Sequence, residues 1–344
     1  MDGPKKHKIR LLIGVLISIF CIYLAFRKVD IDQMWQAFRT MNYWYLVPAA
    51  AAIFFSHFLR AFRWRYLLDP IRRLDTRSLF SSLIIGYAAN SITPAHLGEF
   101  LRAYVLSKKR QIPMSPVFAT VAIERVVDVF SLLALMLLAF FIYPFPDWVI
   151  KSGYIMFAGS LGFLMFLVFL KMTTSSTMRF IGFVLRPLPK TFGRKTEATL
   201  KDFLAGILPL KRWHDYVTTG FLSVIIWACY GLVFYFCLHG FDFIGTYQLK
   251  WSVSLILLVI TTIAVVVPSS PGYVGTYHYL CQISLALFGV PAGPALSFAA
   301  IVHGVSIIPV FVVGLFFAHH EGMAIVKMSE EASNIKETTH LEEV

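Results

Sequence analysis

The chain has 344 residues, of which 58% are hydrophobic, 16% aromatic and only 15% charged. A soluble domain carries about 25% charged residues, so the composition excludes a soluble enzyme or regulator and fits a polytopic helical membrane protein. The net charge of +12 does not imply nucleic acid, because the basic residues form no single patch. They recur in loops on alternate sides of the apolar runs, as the positive-inside rule expects, where each gains roughly 1 kcal/mol from anionic lipid headgroups.

In chain order, Lys5, Lys6, Lys8 and Arg10 precede a first predicted span at 11–26. No small-residue cleavage site follows, so this is read as a helix with a cytoplasmic N-terminus and not as a signal peptide. Residues 27–43 face outward, and a second span covers 44–62 with Trp44 and Tyr45 as interfacial anchors. It exits through Arg60, Arg63, Arg65, Arg72, Arg73 and Arg77, read as a cytoplasmic signature. Arg60 is expected to snorkel to the interface, and His57 beside it is a weak site candidate.

The apolar run from Leu79 then breaks at Asn90-Ser91-Ile92-Thr93-Pro94-Ala95-His96-Leu97-Gly98-Glu99 before Arg102 and Tyr104. Basic residues on both flanks predict a hairpin over 79–105 that enters from the cytoplasm and returns. Further spans are predicted at 116–143, 154–170 and 216–239. Between the last two lies a basic loop, 171–214, with a surface-lying amphipathic helix expected at 198–210.

A second break, Pro268-Ser269-Ser270-Pro271-Gly272-Tyr273-Val274-Gly275, follows the apolar run 251–267. At ~1.5 Å per residue that run reaches only about 25 Å, short of a hydrocarbon core. Two prolines within four residues remove amide donors, and the glycines permit φ values a helix cannot use. Such a break at membrane depth survives only where protein or a wet cavity satisfies the backbone. A last span at 295–318 and a polar tail from 326 complete the chain, the tail having the composition of disorder.

The expected fold is therefore an all-α polytopic membrane protein with about six full transmembrane helices and two re-entrant or broken hairpins. The hairpins enter from opposite faces, the arithmetic of an inverted-topology repeat with tips meeting near the midplane. One membrane domain, 1–325, is expected in halves of about 8–150 and 151–325, with both termini cytoplasmic in the cell membrane.

Ionisable groups inside apolar runs cost about 2.5–3.5 kcal/mol each and mark functional sites by default. Glu124-Arg125-Val126-Val127-Asp128 is the densest such group. Glu124 and Asp128 share a helix face, and Arg125 reaches Asp128 at i,i+3. Two acids against one Arg leave a carboxylate to pair with Arg102 or to bind a proton, so structural support and ion coupling both stand, with His303 alongside. On the return arm of the first hairpin, Gly98 and Glu99 sit at a helix N-terminus that attracts anions. A lipid phosphate docked there with Arg102, and a plain helix cap, are the two readings. The substrate-binding set is Asn90, Pro94, Glu99, Arg102, Ser269, Ser270, Gly272, Gly275 and His278. A lone membrane histidine such as His278 or His303 is also a common helix contact.

Cys21, Cys229, Cys237 and Cys281 lie in apolar runs without CxxC spacing, and no cofactor or metal is expected. Nucleotide-binding glycine loops, HExxH and GxSxG are absent, so no enzymatic activity is expected.

The Asn90…Thr93-Pro94…Gly98-Glu99…Arg102 stretch, Glu124-Arg125…Asp128 and Pro268…Pro271-Gly272…Gly275 together resemble the lysylphosphatidylglycerol synthetase/flippase transmembrane family. That family comprises the membrane part of bacterial multiple-peptide-resistance proteins and stand-alone members once described as dolichol-phosphate-glucose-synthetase-like. The resemblance runs from about residue 8 to 325 and implies translocation of lipids between leaflets, with aminoacylated phosphatidylglycerol as the best-known cargo. It departs at His96, where the family often has Arg, and at His278, where it often has an acid. The aminoacyl-transfer domain of fused relatives is not in this sequence. The expected partners are anionic or lipid-linked membrane lipids, together with a second copy or a lipid-modifying enzyme. The alternative function is an integral-membrane enzyme acting on a polyprenyl phosphate or phospholipid.

Overall fold

A computed structural model describes residues 16–27, 29–93, 97–145, 147–172, 213–266 and 270–322. Among these the fold is all helical. Helix α1 spans Leu16–Phe26, α2 Ile31–Thr40, α3 Leu46–Leu68, α4 Thr76–Ile92, α5 Leu97–Arg110, α6 Met114–Phe140 and α7 Asp147–Met172. Then come α8 Trp213–Gly240, the single turn α9 Phe243–Thr246, α10 Val253–Val266, α11 Thr276–Ala286 and α12 Ala292–His320.

Local chemistry sets several of these boundaries. The Asp30 carboxylate caps α2 by accepting from the Asp32 and Gln33 amides at 3.0 and 3.1 Å, and Asp75 caps α4 through the Ser78 amide. Each satisfies donors that a helix start leaves open. Four segments are long and apolar enough to cross a membrane: Tyr43–Leu68, Val149–Phe166, Trp213–Gly240 and Ala292–His320. Helix α6 has the length as well, but carries Glu124, Arg125 and Asp128 at its middle.

Each run predicted as a span falls within or across one of these helices, with shifted ends. The second predicted span is α3, which continues to Leu68 and not to 62, so Arg60 and Arg63 lie inside it. The fourth starts at Asp147, ahead of the predicted 154. Residues 27–43 contain the amphipathic helix α2, which the sequence reading left unassigned. The expected amphipathic helix at 198–210 and the polar tail lie outside the described residues.

Two large apolar cores, with two smaller clusters beside them, organise the described residues. One joins Ile53 of α3 to Val233 and Cys237 of α8, Leu257 of α10 and Phe298 of α12. The other gathers Trp64 and Leu67 of α3, Leu79 of α4, Leu106 of α5 and Val117 of α6. Along α3 the two meet near Arg60 and Arg63.

Both predicted interruptions are helical hairpins. Helices α4 and α5 cross at Gly86 and Gly98, where a Cβ on Gly98 would overlap the Gly86 carbonyl oxygen and the Asn90 side chain. In the second hairpin, α10 and α11 are joined through a 3-10 turn, Pro271–Tyr273, with Gly272 at φ 67° and Gly275 at φ 91°. L-residues rarely adopt such angles. This turn packs on the end of α4, since a Cβ on Gly272 would lie 3.3 Å from the Ser91 carbonyl oxygen. Helix α1 braces it from the other side, with the Ser270 amide donating to Ser18 Oγ at 2.8 Å.

Candidate functional site

Where the two cores meet, charged side chains of α3, α5 and α6 form one buried network. The spacing of His57, Arg60, Arg63 and Trp64 places them on one face of α3, opposite the Glu124 and Asp128 face of α6. Asp128 takes both α3 arginines, Arg60 at 2.6 Å and Arg63 at 2.7 Å. Glu124 takes Arg102 of α5 at 2.8 Å and Arg125 at 2.8 Å. Arg125 also reaches Asp128 at 3.0 Å and Glu99 at 3.5 Å. Neutral groups complete the shell. Arg60 donates to the Tyr230 hydroxyl at 2.8 Å and Arg63 to Ser223 Oγ at 2.7 Å, both on α8. The Arg102 guanidinium lies 4.6 Å over the Trp64 ring, a cation–π contact.

The charge balance is the reverse of the expected one. Instead of a spare carboxylate, four arginines (60, 63, 102 and 125) face three acids, Glu99, Glu124 and Asp128. Arg60 does not snorkel to an interface, because its side chain is only 5% exposed and Arg63 is fully buried. Their partners on α6 are what turn two apparently cytoplasmic arginines inward. Arg63, Tyr230 and Ser223 were missed by sequence reasoning. The signal available was the unbalanced pair Glu124/Asp128, which required cations from another apolar helix, and Arg60 and Arg63 have the helical spacing to supply them.

Among the described residues, the charged part of the network reaches the surface at Glu99 and Arg125. A slot lined by Gly86, Tyr87, Asn90, Gly98, Glu99, Arg102 and Arg125 opens beside it, and Glu99 and Arg125 are its partly exposed members, at 24% and 33%. Glu99 pairs with Arg125 and not with Arg102. An amide of the first turn of α5 is already engaged, because Gly98 donates to Asn90 Oδ1 at 2.8 Å. Asn90 is thus a cap for this helix start. Arg63, Arg102 and Arg125 each keep a buried Nε–H without an acceptor among the described residues.

The remaining predicted site residues lie in the second hairpin. Ser270 Oγ donates to the Val274 carbonyl at 3.1 Å, closing the turn. His278 Nδ1 accepts from the Gly275 amide at 3.4 Å, and its ring stands edge-on to His303 at 4.8 Å. His303 Nε2 is 2.8 Å from the Gly272 carbonyl oxygen. Both histidines thus hold the turn. The hairpin adjoins the slot through Tyr273, which lies within electrostatic reach of Glu99 and Arg125. Pro94, His96 and Ser269 lie outside the described residues.

The sequence profile of the lysylphosphatidylglycerol synthase TM region matches residues 11–314. The chain belongs to this family. As a member of the lysylphosphatidylglycerol synthase TM family, it is an integral membrane protein whose role concerns membrane lipids. It is 23% identical over 301 residues to a UPF0104 membrane protein of Methanocaldococcus jannaschii, covering 82% of this chain and 86% of that one. A UPF0104 membrane protein of Methanothermobacter thermautotrophicus is 24% identical over 318 residues, covering 86% and 90%. The glycosyltransferase AglD of Haloferax volcanii is 28% identical over 131 residues, which is 38% of this chain and 21% of that protein.

Proposed function

We propose that this family member moves the polar headgroup of an anionic lipid between leaflets through the slot lined by α4, α5 and α6, which the turn of the second hairpin adjoins. The observation that carries the reading is the buried arginine excess that surfaces at Glu99 and Arg125. A net cation at low dielectric recruits an anion. Opposite charges ~4 Å apart are worth about 4 kcal/mol at an effective dielectric constant of ~20, against about 1 in water. A phosphate brings acceptors for the spare guanidinium donors, and Arg recognises phosphate through paired N–H groups.

The acyl chains stay in the bilayer while the headgroup passes. The cavity at the slot is only about 10 Å³, the room of a single water, so passage requires the slot to widen. Glu99 is the gate in this scheme: it neutralises Arg125 in the closed slot and yields it to the incoming phosphate. Glu124 and Asp128 hold the other arginines in place. The expected inverted repeat, with halves of about 8–150 and 151–325 and both termini cytoplasmic, would let the hairpins open alternately to the two leaflets.

Headgroup flipping in proteoliposomes tests this, using fluorescent phosphatidylglycerol and phosphatidylcholine with a leaflet-impermeant quencher. The parent should flip the anionic lipid faster, and Glu99→Gln should change that rate by about tenfold or more, as for a lost charge–charge contact. Equal rates for parent and Glu99→Gln would remove the slot from the pathway, and no flipping by folded protein would remove the function.

The partial match to AglD favours a second reading, an integral-membrane enzyme acting on a polyprenyl phosphate or phospholipid. Turnover that persists in detergent, where leaflets no longer exist, would support it over translocation.

A further inference from the structure

Helix α7 packs chiefly on α6 and is otherwise little covered, so it leans away from α8. Between α6, α7 and α8 this leaves a groove of about 700 Å³, within the ~300–1,000 Å³ range of pockets that bury a small-molecule ligand. It lies on the face of α6 opposite Arg125 and is separate from the slot proposed for translocation. Its inner wall is buried, formed by Leu67, Ile123, Val126 and Trp227, whereas Leu138, Tyr216 and Val224 at its rim are exposed. In a membrane protein such a rim opens sideways into hydrocarbon.

We infer that this groove seats one acyl chain of a bilayer glycerophospholipid, which fills the wedge between α7 and α8. Three observations support that occupant. First, the groove follows a helical stripe on α6 from Ile123 through Phe130 to Leu138. At ~1.5 Å per residue this is about 22 Å. One leaflet of a hydrocarbon core ~30 Å thick is about 15 Å deep. The groove therefore accommodates a chain that ends within its own leaflet, whereas a long polyprenyl chain would overrun it.

Second, the lining is apolar apart from a few hydroxyls and one indole, and two of these polar residues lack partners. Ser131 and Ser223 bond back to the carbonyls of Val127 and Thr219. Thr219 and Trp227, 4% and 6% exposed, leave Oγ1 and Nε1 without an acceptor or donor among the described residues. An ester carbonyl of a glycerophospholipid supplies an acceptor for Thr219, the one nearer the end of α8, whereas a pure hydrocarbon supplies none. Third, Gly220 lines the groove from its exposed side, and a Cβ built on it meets no atom within 4 Å, so the groove stays open beside it.

Photolabelling tests the assignment without relying on transport. The protein is reconstituted in vesicles containing phosphatidylglycerol with a diazirine in one acyl chain, and labelled peptides are mapped. Labelling of 123–138 and 219–227 should exceed that of the exposed α12 face at Ile308, Val312 and Phe316. Gly220→Trp fills the groove from open space and should reduce groove labelling by about tenfold, the effect of denying contact to about two methylenes. Labelling of the α12 face should stay unchanged, which also reports that the variant is folded. Gly220→Leu should give a smaller reduction. Groove labelling no higher than on α12, or unaffected by Gly220→Trp, would overturn the assignment. So would chemical cross-links placing residues 173–212 in the groove, or competition by a polyprenyl phosphate where phosphatidylglycerol fails to compete.

Discussion

The two hairpins have similar outlines and are held by different physics. The first, α4 and α5, is locked by a glycine crossing at Gly86 and Gly98 and tied to α3 and α6 by Arg102, Glu124 and Arg125. The second, α10 to α11, has no Asp, Glu, Lys or Arg from Val253 to Ala286. It is held by neutral bonds: Ser270 to Ser18, His303 with the Gly272 carbonyl, and Gln282 Nε2 to the Ala25 carbonyl at 2.8 Å. Buried charges deprived of partners are expensive, whereas a neutral hydrogen bond nets only about 1 kcal/mol. The first hairpin therefore behaves as a fixed wall, and the second as the arm that yields first.

The largest expected effect comes from breaking the wall. Asp128→Ala would remove the closer carboxylate of Arg60 and Arg63, leaving both to Glu124 at 3.4 and 3.6 Å, and should cost about 3–5 kcal/mol. Thermal unfolding of purified protein in detergent would reveal this as a large fall in apparent melting temperature. Asp128→Asn, which keeps the shape and one acceptor oxygen, should fall between variant and parent. A neutral outcome for Asp128→Ala would mean that water reaches the cluster and that the wall is not built from charge.

A smaller loss follows from loosening the crossing of α4 and α5. Gly98→Val introduces a Cβ onto the Gly86 carbonyl and the Asn90 side chain, and overpacking of this kind costs about 1–3 kcal/mol. The matching substitution Gly220→Val, where a Cβ meets nothing, should be close to neutral under the same melting assay. Equal losses at both positions would point to general helix distortion and not to the crossing.

What the sequence could reveal followed the range of the interactions involved. Long apolar runs made the helices readable, because a 20-residue apolar stretch has few alternatives in a membrane. The prolines and glycines of the second turn made its break readable, because their backbone limits are local. Glu124 and Asp128 stood out as acids in an apolar run. Arg60 and Arg63 did not, because a basic residue near the end of an apolar run has two outcomes, snorkelling or burial. The choice is made by acids 64 to 68 positions away. Asn90 was read as the start of the first break and as a substrate-binding residue, whereas it lies inside α4 and its bond to the Gly98 amide depends on how α4 and α5 cross. That crossing is a tertiary fact.

The smallest and most discriminating effect concerns the second hairpin. Ser18→Ala removes the acceptor for the Ser270 amide and should cost about 1 kcal/mol, a factor of about 5 in a local equilibrium. Since α1 and the turn share no charged contact among the described residues, the loss should stay local. Hydrogen exchange of the 270–275 amides should accelerate about fivefold while the apparent melting temperature hardly moves, the inverse of the Asp128→Ala pattern. If Ser18→Ala instead lowered the melting temperature as far as Asp128→Ala, the second hairpin would be part of the rigid frame, and the widening of the slot would have to come from the charged side. If exchange there were already fast in the parent and unchanged in the variant, the Ser18 contact would contribute nothing to closure. Slow exchange made faster by this one substitution is the outcome that assigns the yielding arm to the hairpin without charge.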